Sequence, residues 1–433
     1  MYATLNAKNP NKLYQYIYQY KNNYAACKLF RHKILQQIKG LKATQQFYYE
    51  LAFINLAKKQ TLRIAVNTRL LQKDNLEGIG RFTFETLKRM VLSHPEVEFI
   101  FCFDRPFDPT FIFAKNVTPI IIGLPARHPF LYYLWFEYAL PQALKKHNVD
   151  ILLSPDGYLP LKTSVKTIAV IHDLAFEHYS NGVSWITQKY YKHFFPLFAK
   201  KADKIVTVSE FTKQDLIKTY GISASKIDVV YNGVSSVFKP LSAVDKKEIK
   251  LKLHLQKPYF LYHGSIHPRK NIITLLKAFE LFKNQNKTNH QLILVGRKAW
   301  KTKEVDGFYE QMKYKNEVHF LGKKSDEELA QVLACADASI YPSYFEGFGL
   351  PVIEAFACGV PVITSKNTSM EEIAIGAAYL FEASNVEDLA KQMLTLIENS
   401  SKTEENVQKG LQIPAQYNWD NVVSKLWKSI LSC

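Results

Sequence analysis

The chain has 433 residues, beyond the roughly 250 to 300 at which a single hydrophobic core stops growing, so at least two domains are expected. Hydrophobic residues make up 47% and charged residues 22%, a globular composition that excludes a disordered tail, a collagen-like chain and a coiled-coil rod. Lys and Arg number 56 against 39 Asp and Glu, a formal +17, which points to a phosphate-bearing partner and leaves nucleic acid, anionic lipid and nucleotide open.

Residues 1–60 hold nine Lys and one Arg against the single acid Glu50, together with eight tyrosines. Ile34, Ile38 and Leu41, then Phe47, Leu51 and Ile54, recur near helical spacing, which predicts a basic, aromatic helical extension. Such a helix suits an anionic membrane surface, where each Lys or Arg is worth about 1 kcal/mol, or simply packs on the body with a solvated basic face. The first twenty residues lack the continuous apolar core and small-residue cleavage site of a secretory signal, so a cytoplasmic location is expected, possible membrane contact being peripheral. The most apolar stretch, 129–144, is interrupted by Glu137 and Pro141 and falls short of the roughly 20 residues a membrane span needs. Five scattered cysteines with no Cys-x-x-Cys pair predict neither disulfides nor structural zinc.

From residue 61 the pattern becomes short β-branched runs separated by helical stretches. Runs at 62–67, 97–103, 117–122, 150–154, 166–171 and 204–208 read as buried parallel strands, with helices at about 80–93, 130–146, 185–200 and 209–220 between them. A second series has strands at 258–263, 291–296, 317–322, 338–342 and 361–364, with helices at 271–284, 304–314, 325–335, 350–357 and 385–398. The alternation predicts an α/β protein of two Rossmann-like doubly wound domains, over 61–240 and 241–415, followed by a closing helix at 416–433. The segment from Phe238 to Lys257, Lys-rich and without a strand pattern, is the expected boundary. Ligands of open α/β sheets bind beyond the carboxyl ends of the strands, which places the expected site in the interdomain cleft.

The polar motifs of the second series follow predicted strands. In HGSIHPRKN, Gly264 permits close backbone approach, Arg269 offers a bidentate fork to phosphate oxygens, Lys270 a mobile charge, and Asn271 a cap for the next helix. The pair suits a diphosphate; the plain alternative is a solvated basic turn. In YFEGFGLPVIEAFACGVPVIT, Glu346 and Glu354 flank Gly347, Phe348, Gly349 and Leu350, and Pro351 suits the first turn of a helix whose amides face the ligand. Two carboxylates beside exposed amides fit sugar or ribose hydroxyls and oxygens that gain charge, although Glu354 in the first turn also fits ordinary helix capping.

Taken together, these residues resemble glycosyltransferase family 4, retaining enzymes of the GT-B fold, whose Glu-x7-Glu motif is matched by Glu346 and Glu354. VIHDL (170–174), the run at 204–222, VYNGV (230–234), LILVG and HFLG occur in the family's order, and the resemblance covers about residues 61–431. It implies that Arg269 and Lys270 bind the donor diphosphate and stabilise the leaving nucleotide. Glu346 faces the donor sugar beside the amides of Gly347, Phe348 and Gly349, and Glu354 holds the ribose. Gly78 and Gly80, in EGIGRF (77–82), match the loop over the donor phosphates, and His172 matches the histidine near the reacting carbon. The stretches at Gly296 and Gly322 are expected to line the base pocket.

The chain has no Asp-x-Asp triplet of the kind that holds a divalent ion on a diphosphate, so cationic side chains are expected to take that role with no metal or other cofactor. The resemblance implies a nucleotide-sugar donor, a glycan or lipid-linked acceptor, and retention of configuration through front-face attack. The pattern at 67–90, followed by LWFEYALPQAL, resembles mannosyltransferases of surface polysaccharide assembly, which favours GDP-mannose over UDP-glucose. A glycogen-synthase-like glucosyltransferase using UDP- or ADP-glucose is the alternative within the fold. A basic nucleic-acid-binding protein is the alternative from another class. It requires a continuous basic face, whereas residues 61–433 carry only the mild excess left after the +9 of the first 60, so no nucleic-acid partner is expected.

Overall fold

The computed structural model describes residues 61–433 apart from 74, 75, 77, 124, 127, 180–183, 287 and 298–302. The helical extension expected over 1–60, with its membrane-surface role, lies outside the described residues.

Seven short strands build the first sheet: β1 (Arg63–Asn67), β2 (Glu98–Phe103), β3 (Val117–Ile121), β4 (Ile151–Ser154), β5 (Lys166–Ile171), β6 (Lys204–Thr207) and β7 (Ile227–Val229). Six build the second: β8 (Tyr259–His263), β9 (Gln291–Val295), β10 (Val318–Gly322), β11 (Ala338–Tyr341), β12 (Val362–Ser365) and β13 (Ala378–Phe381). All pairings are parallel, in the orders 3-2-1-4-5-6-7 and 10-9-8-11-12-13. Helices cover both faces of a parallel sheet, which is why strands such as β8 and β12 are buried at every residue and read as unbroken apolar runs. Strand order reverses between β1 and β4 in one sheet and between β8 and β11 in the other, and a crevice opens at each reversal.

The expected strands are present within a residue or two of their predicted ends. β7 and β13, of three and four residues at the sheet edges, are additions that a search for apolar runs passes over. The expected boundary segment carries a helix that the sequence reading did not list, Ala243–Lys252. Ser242 caps it by accepting from the Asp245 N–H at 3.1 Å, and its many lysines mask the amphipathic pattern. The 129–146 helix forms as expected but widens into a π turn over Trp135–Ala139, because Pro141 has no N–H to give to the carbonyl four residues back. Glu137, on that turn, is buried and accepts from the Leu161 N–H at 2.8 Å. Among the described residues no helix is long and apolar enough to cross a membrane.

The chain finally returns to the first sheet's side of the molecule. The closing helix, Trp419–Leu431, packs on the Ile79–Ser93 helix: Trp419 meets Phe82 edge-on, Trp427 stacks on His94 at 3.8 Å, and Arg89 reaches Asp420 at 3.2 Å. The closing helix thereby ties the end of the chain to the first domain.

Candidate active site

Beyond β8 the chain makes one 3-10 turn, Pro268–Lys270, in which His267 Nδ1 accepts from the Arg269 N–H at 3.2 Å. Asn271 follows in the left-handed region at φ 60°, and it does not cap the next helix through its side chain, as the sequence led us to expect. Its amide instead donates to the carbonyls of Pro342 and Ala383 at 3.0 and 2.6 Å, stapling the loops after β11 and β13 to the turn.

The turn delivers two cations to one carboxylate. Lys270 Nζ donates to Tyr341 OH and to Glu346 Oε1, both at 2.6 Å. Arg269 Nη1 donates to the Phe345 carbonyl at 2.6 Å and lies 3.4 Å from Glu346 Oε2 and 3.7 Å from Asp173 Oδ2. Burial alone would raise the Glu346 pKa, but Arg269 and Lys270 outweigh it and hold the carboxyl below its ordinary value. Burial likewise opposes the Arg269 charge, and Glu346 with Asp173 more than reverses it. Glu346 is therefore held as a carboxylate between the two cations, with Asp173 on the far side of Arg269.

Glu346 opens the loop that runs into the Leu350–Ala357 helix. Both domains hold this loop. Ser209 Oγ, at the start of the Glu210–Tyr220 helix, donates to the Gly347 carbonyl at 2.6 Å, and Ser369 Oγ donates to the Glu346 carbonyl at 2.6 Å. A Cβ on Gly347 would lie 1.9 Å from the His172 carbonyl oxygen, so the glycine permits a close backbone approach across the cleft. No side chain caps the helix, leaving amides at its N-terminus available to an anion.

Glu354 departs from the expected first-turn position. It is the fifth residue of its helix, in the second turn, and points inward, where His263 Nε2 donates to its Oε2 at 3.0 Å. Capping therefore does not explain it. His263 Nδ1 is buried without a hydrogen-bond partner. Arg81, from the opposite domain, stands close enough that the Glu354 and Asp326 charges overcome its burial and raise its pKa. Arg81 also forms a two-pronged ion pair with Asp326, with Nη1 to Oδ1 at 3.0 Å, bridging the cleft.

The first domain supplies the facing wall. Gly78, at φ 48°, begins the Ile79–Ser93 helix without a side-chain cap and lines the cleft, whereas Gly80 is buried behind it. Glu77 of the same motif lies outside the described residues. His172 lines the cleft with Nε2 2.8 Å from the Pro155 carbonyl and its ring edge-on to Phe82. Burial outweighs that carbonyl and the Asp173 and Asp156 charges, so its pKa is lowered. A neutral ring that donates from Nε2 leaves Nδ1 as an acceptor. At the β1/β4 reversal, Arg69 is buried against Asp156 at 2.8 Å and packs over the rings of Tyr158 and Tyr132.

These groups enclose about 1060 Å³ between the sheets. His172, Arg269, Lys270, Glu346 and Glu354 all line it, with Gly78, Gly264, Gly296, Gly347, Phe348, Gly349 and Leu350. A Cβ on Gly296 would meet the Gly264 carbonyl oxygen at 1.9 Å, so both glycines serve backbone approach at the strand ends. Gly322 is not in the lining; its carbonyl accepts from the Gly296 N–H at 2.8 Å, and its neighbour Lys323 reaches the cavity instead. Arg81, Asp173, His263 and Tyr341 were not singled out from the sequence, and only the cross-cleft and cross-strand neighbours identify them.

Two doubly wound sheets facing a cleft, with a cation pair at the end of one strand and a glutamate loop leading into an uncapped helix at another, define the GT-B class of glycosyltransferase. Residues 76–237 match the family model Glycosyltransferase Family 4 and residues 244–412 match Glycosyl transferases group 1, together more than half of the chain, and the chain belongs to this glycosyltransferase family. It is similar to O-antigen chain mannosyltransferase B of Escherichia coli, 27% identical over 366 residues that span 81% of this chain and 94% of that one. It is also similar to O-antigen chain mannosyltransferase RfbU of Salmonella typhimurium, 29% identical over 294 residues, 67% of this chain and 76% of that one. Among solved structures, Anabaena HepE in complex with UDP and glucose shares the fold with a TM-score of 0.68 at 18% identity, over 86% of this chain and 100% of that one.

Proposed function

We propose that the enzyme transfers a mannosyl residue from GDP-mannose to a lipid-linked glycan in surface polysaccharide assembly, with retention of configuration and no metal. The observation that carries the catalytic part is the Lys270–Glu346–Arg269 cluster beside the uncapped Leu350–Ala357 helix. The mannosyl part rests on the two O-antigen mannosyltransferases to which the chain is similar over most of its length.

In this reading the diphosphate lies between the amides at Gly78 and the Arg269–Lys270 turn. The bond from sugar C1 to the phosphate oxygen lengthens, and negative charge grows on that oxygen. Arg269 and Lys270 stabilise it, a preorganised electrostatic role that a divalent ion fills in other glycosyltransferases. The acceptor hydroxyl attacks C1 on the face the phosphate leaves, and the departing phosphate oxygen takes its proton. Glu346 orients the sugar and keeps both cations in place. Glu354 receives the ribose hydroxyls on its oxygen not engaged by His263, and His172 Nδ1 accepts from a donor-sugar hydroxyl.

A thermal-shift panel of GDP, UDP and ADP sugars in EDTA tests the donor. GDP-mannose at 100 times its Kd is expected to add about 2.7 kcal/mol of stability, a shift of several degrees. A shift with UDP-glucose alone, or one that needs manganese, overturns the reading.

A further inference from the structure

We infer that His263 is the positioning residue through which the enzyme selects a ribonucleotide donor. It fixes the Glu354 carboxylate in one orientation, so that ribose hydroxyls meet a prebuilt acceptor. The inference rests on the ribose reading of Glu354 above and adds to it the group that makes the site selective.

The place of His263 in the fold argues for this role. It is the last residue of β8, a strand buried at every residue, and is itself 3% exposed. The four residues before it, Tyr259 to Tyr262, are apolar or aromatic, and a valine or leucine at 263 would suit the sheet with no polar group to satisfy. The imidazole instead reaches the Leu350–Ala357 helix and donates from Nε2 to Glu354 Oε2 at 3.0 Å. Among the described residues this is the one side-chain hydrogen bond of His263, and Nδ1 is buried without a partner. A histidine kept for the sheet alone would use both ring nitrogens within it, as buried polar groups generally do. This one gives its donor to a carboxylate of the cleft.

Glu354 benefits from such a partner because ordering a flexible side chain on binding costs affinity, and a chain held beforehand avoids that cost. The other charge that acts on it, Arg81, comes from the opposite domain and is engaged by Asp326, with Nη1 to Oδ1 at 3.0 Å. His263 is thus the contact from Glu354's own domain. With Oε2 taken, Oε1 has no hydrogen bond among the described residues, and Glu354 lines the cavity. An oxygen with two lone pairs matches the neighbouring hydroxyls of a ribose, and a sugar without them leaves that oxygen unpaired.

The test compares the binding of GDP with that of 2′,3′-dideoxy-GDP, and of UDP with its dideoxy analogue, by calorimetry on the full chain. The wild type should prefer the ribose form of the nucleotide it binds by about tenfold or more. In His263→Leu that preference should fall to about threefold or less, with donor KM raised and kcat nearly unchanged. His263→Gln, which keeps an N–H at similar reach, should restore it. Adding His263→Leu to Glu354→Gln should cost nothing beyond Glu354→Gln alone, since one residue acts through the other. Melting temperatures control for folding, and His263→Met repeats the comparison should the leucine variant not fold. Wild-type preference in His263→Leu, no recovery in His263→Gln, or additive losses in the double variant overturns the proposal and leaves the ribose reading intact. A wild type that binds the ribose and dideoxy forms equally refutes the ribose reading, and this inference with it.

Discussion

Replacing Lys270 by Ala isolates the charge that grows on the leaving phosphate. Nζ lies 2.6 Å from Glu346 Oε1 and from Tyr341 OH, in a buried setting. A unit charge about 4 Å from a phosphate oxygen interacts by about 4 kcal/mol at an effective dielectric constant near 20. Part of this is already felt by the bound donor, and about 3 kcal/mol, the typical effect of losing one preorganised electrostatic contact, falls on the transition state. Turnover at saturating donor should therefore drop about 10² or more. KM for the donor should rise less, since Arg269 remains 3.4 Å from Glu346 and keeps one cation at the site. Glu354→Gln is the contrast, since a residue that holds the ribose equally in ground and transition states should raise donor KM and leave kcat nearly intact. Steady-state kinetics on both variants, with melting temperatures as the folding control, give the split. A Lys270→Ala enzyme within threefold of wild-type kcat would refute the electrophilic role, as would a loss confined to KM.

Gly347→Ala places a methyl group 1.9 Å from the His172 carbonyl oxygen, so the domains must separate to admit it. A loss of activity of tenfold or more with a small change in melting temperature is expected, and wild-type kinetics would show that the close approach is dispensable. Falling pH should destabilise the fold. Burial holds His172, His290 and His319 below the ordinary histidine pKa of 6.5, so below that value the unfolded chain takes up protons that the folded chain does not. Glu346, whose pKa is lowered from 4.5, acts in the same direction at lower pH. Melts between pH 7.5 and 5 should show a falling midpoint, and a flat or rising one would contradict these environments.

Which features were legible in the sequence follows from the range of the interaction behind each. β8 and β12 are buried on both faces, so their burial is written as consecutive apolar residues and read without knowledge of their neighbours. Gly347 and Arg269 were legible through motif spacing, because a local turn fixes each relative to its strand. β13 was not, because its burial alternates along four residues at a sheet edge, too short for a period to register. The Ala243–Lys252 helix was hidden by lysines on its solvated side.

Partnerships between residues far apart in the chain were the least legible. Glu354 read equally well as a helix cap until His263, 91 positions earlier, was found donating to it, and the clasp of Asp326 by Arg81 left no mark in the sequence. Arg81 relates the two: it pairs with Asp326 across the cleft, and the Glu354 charge helps to hold its pKa up. No spacing rule marks that guanidinium, because Asp326 lies 245 positions away.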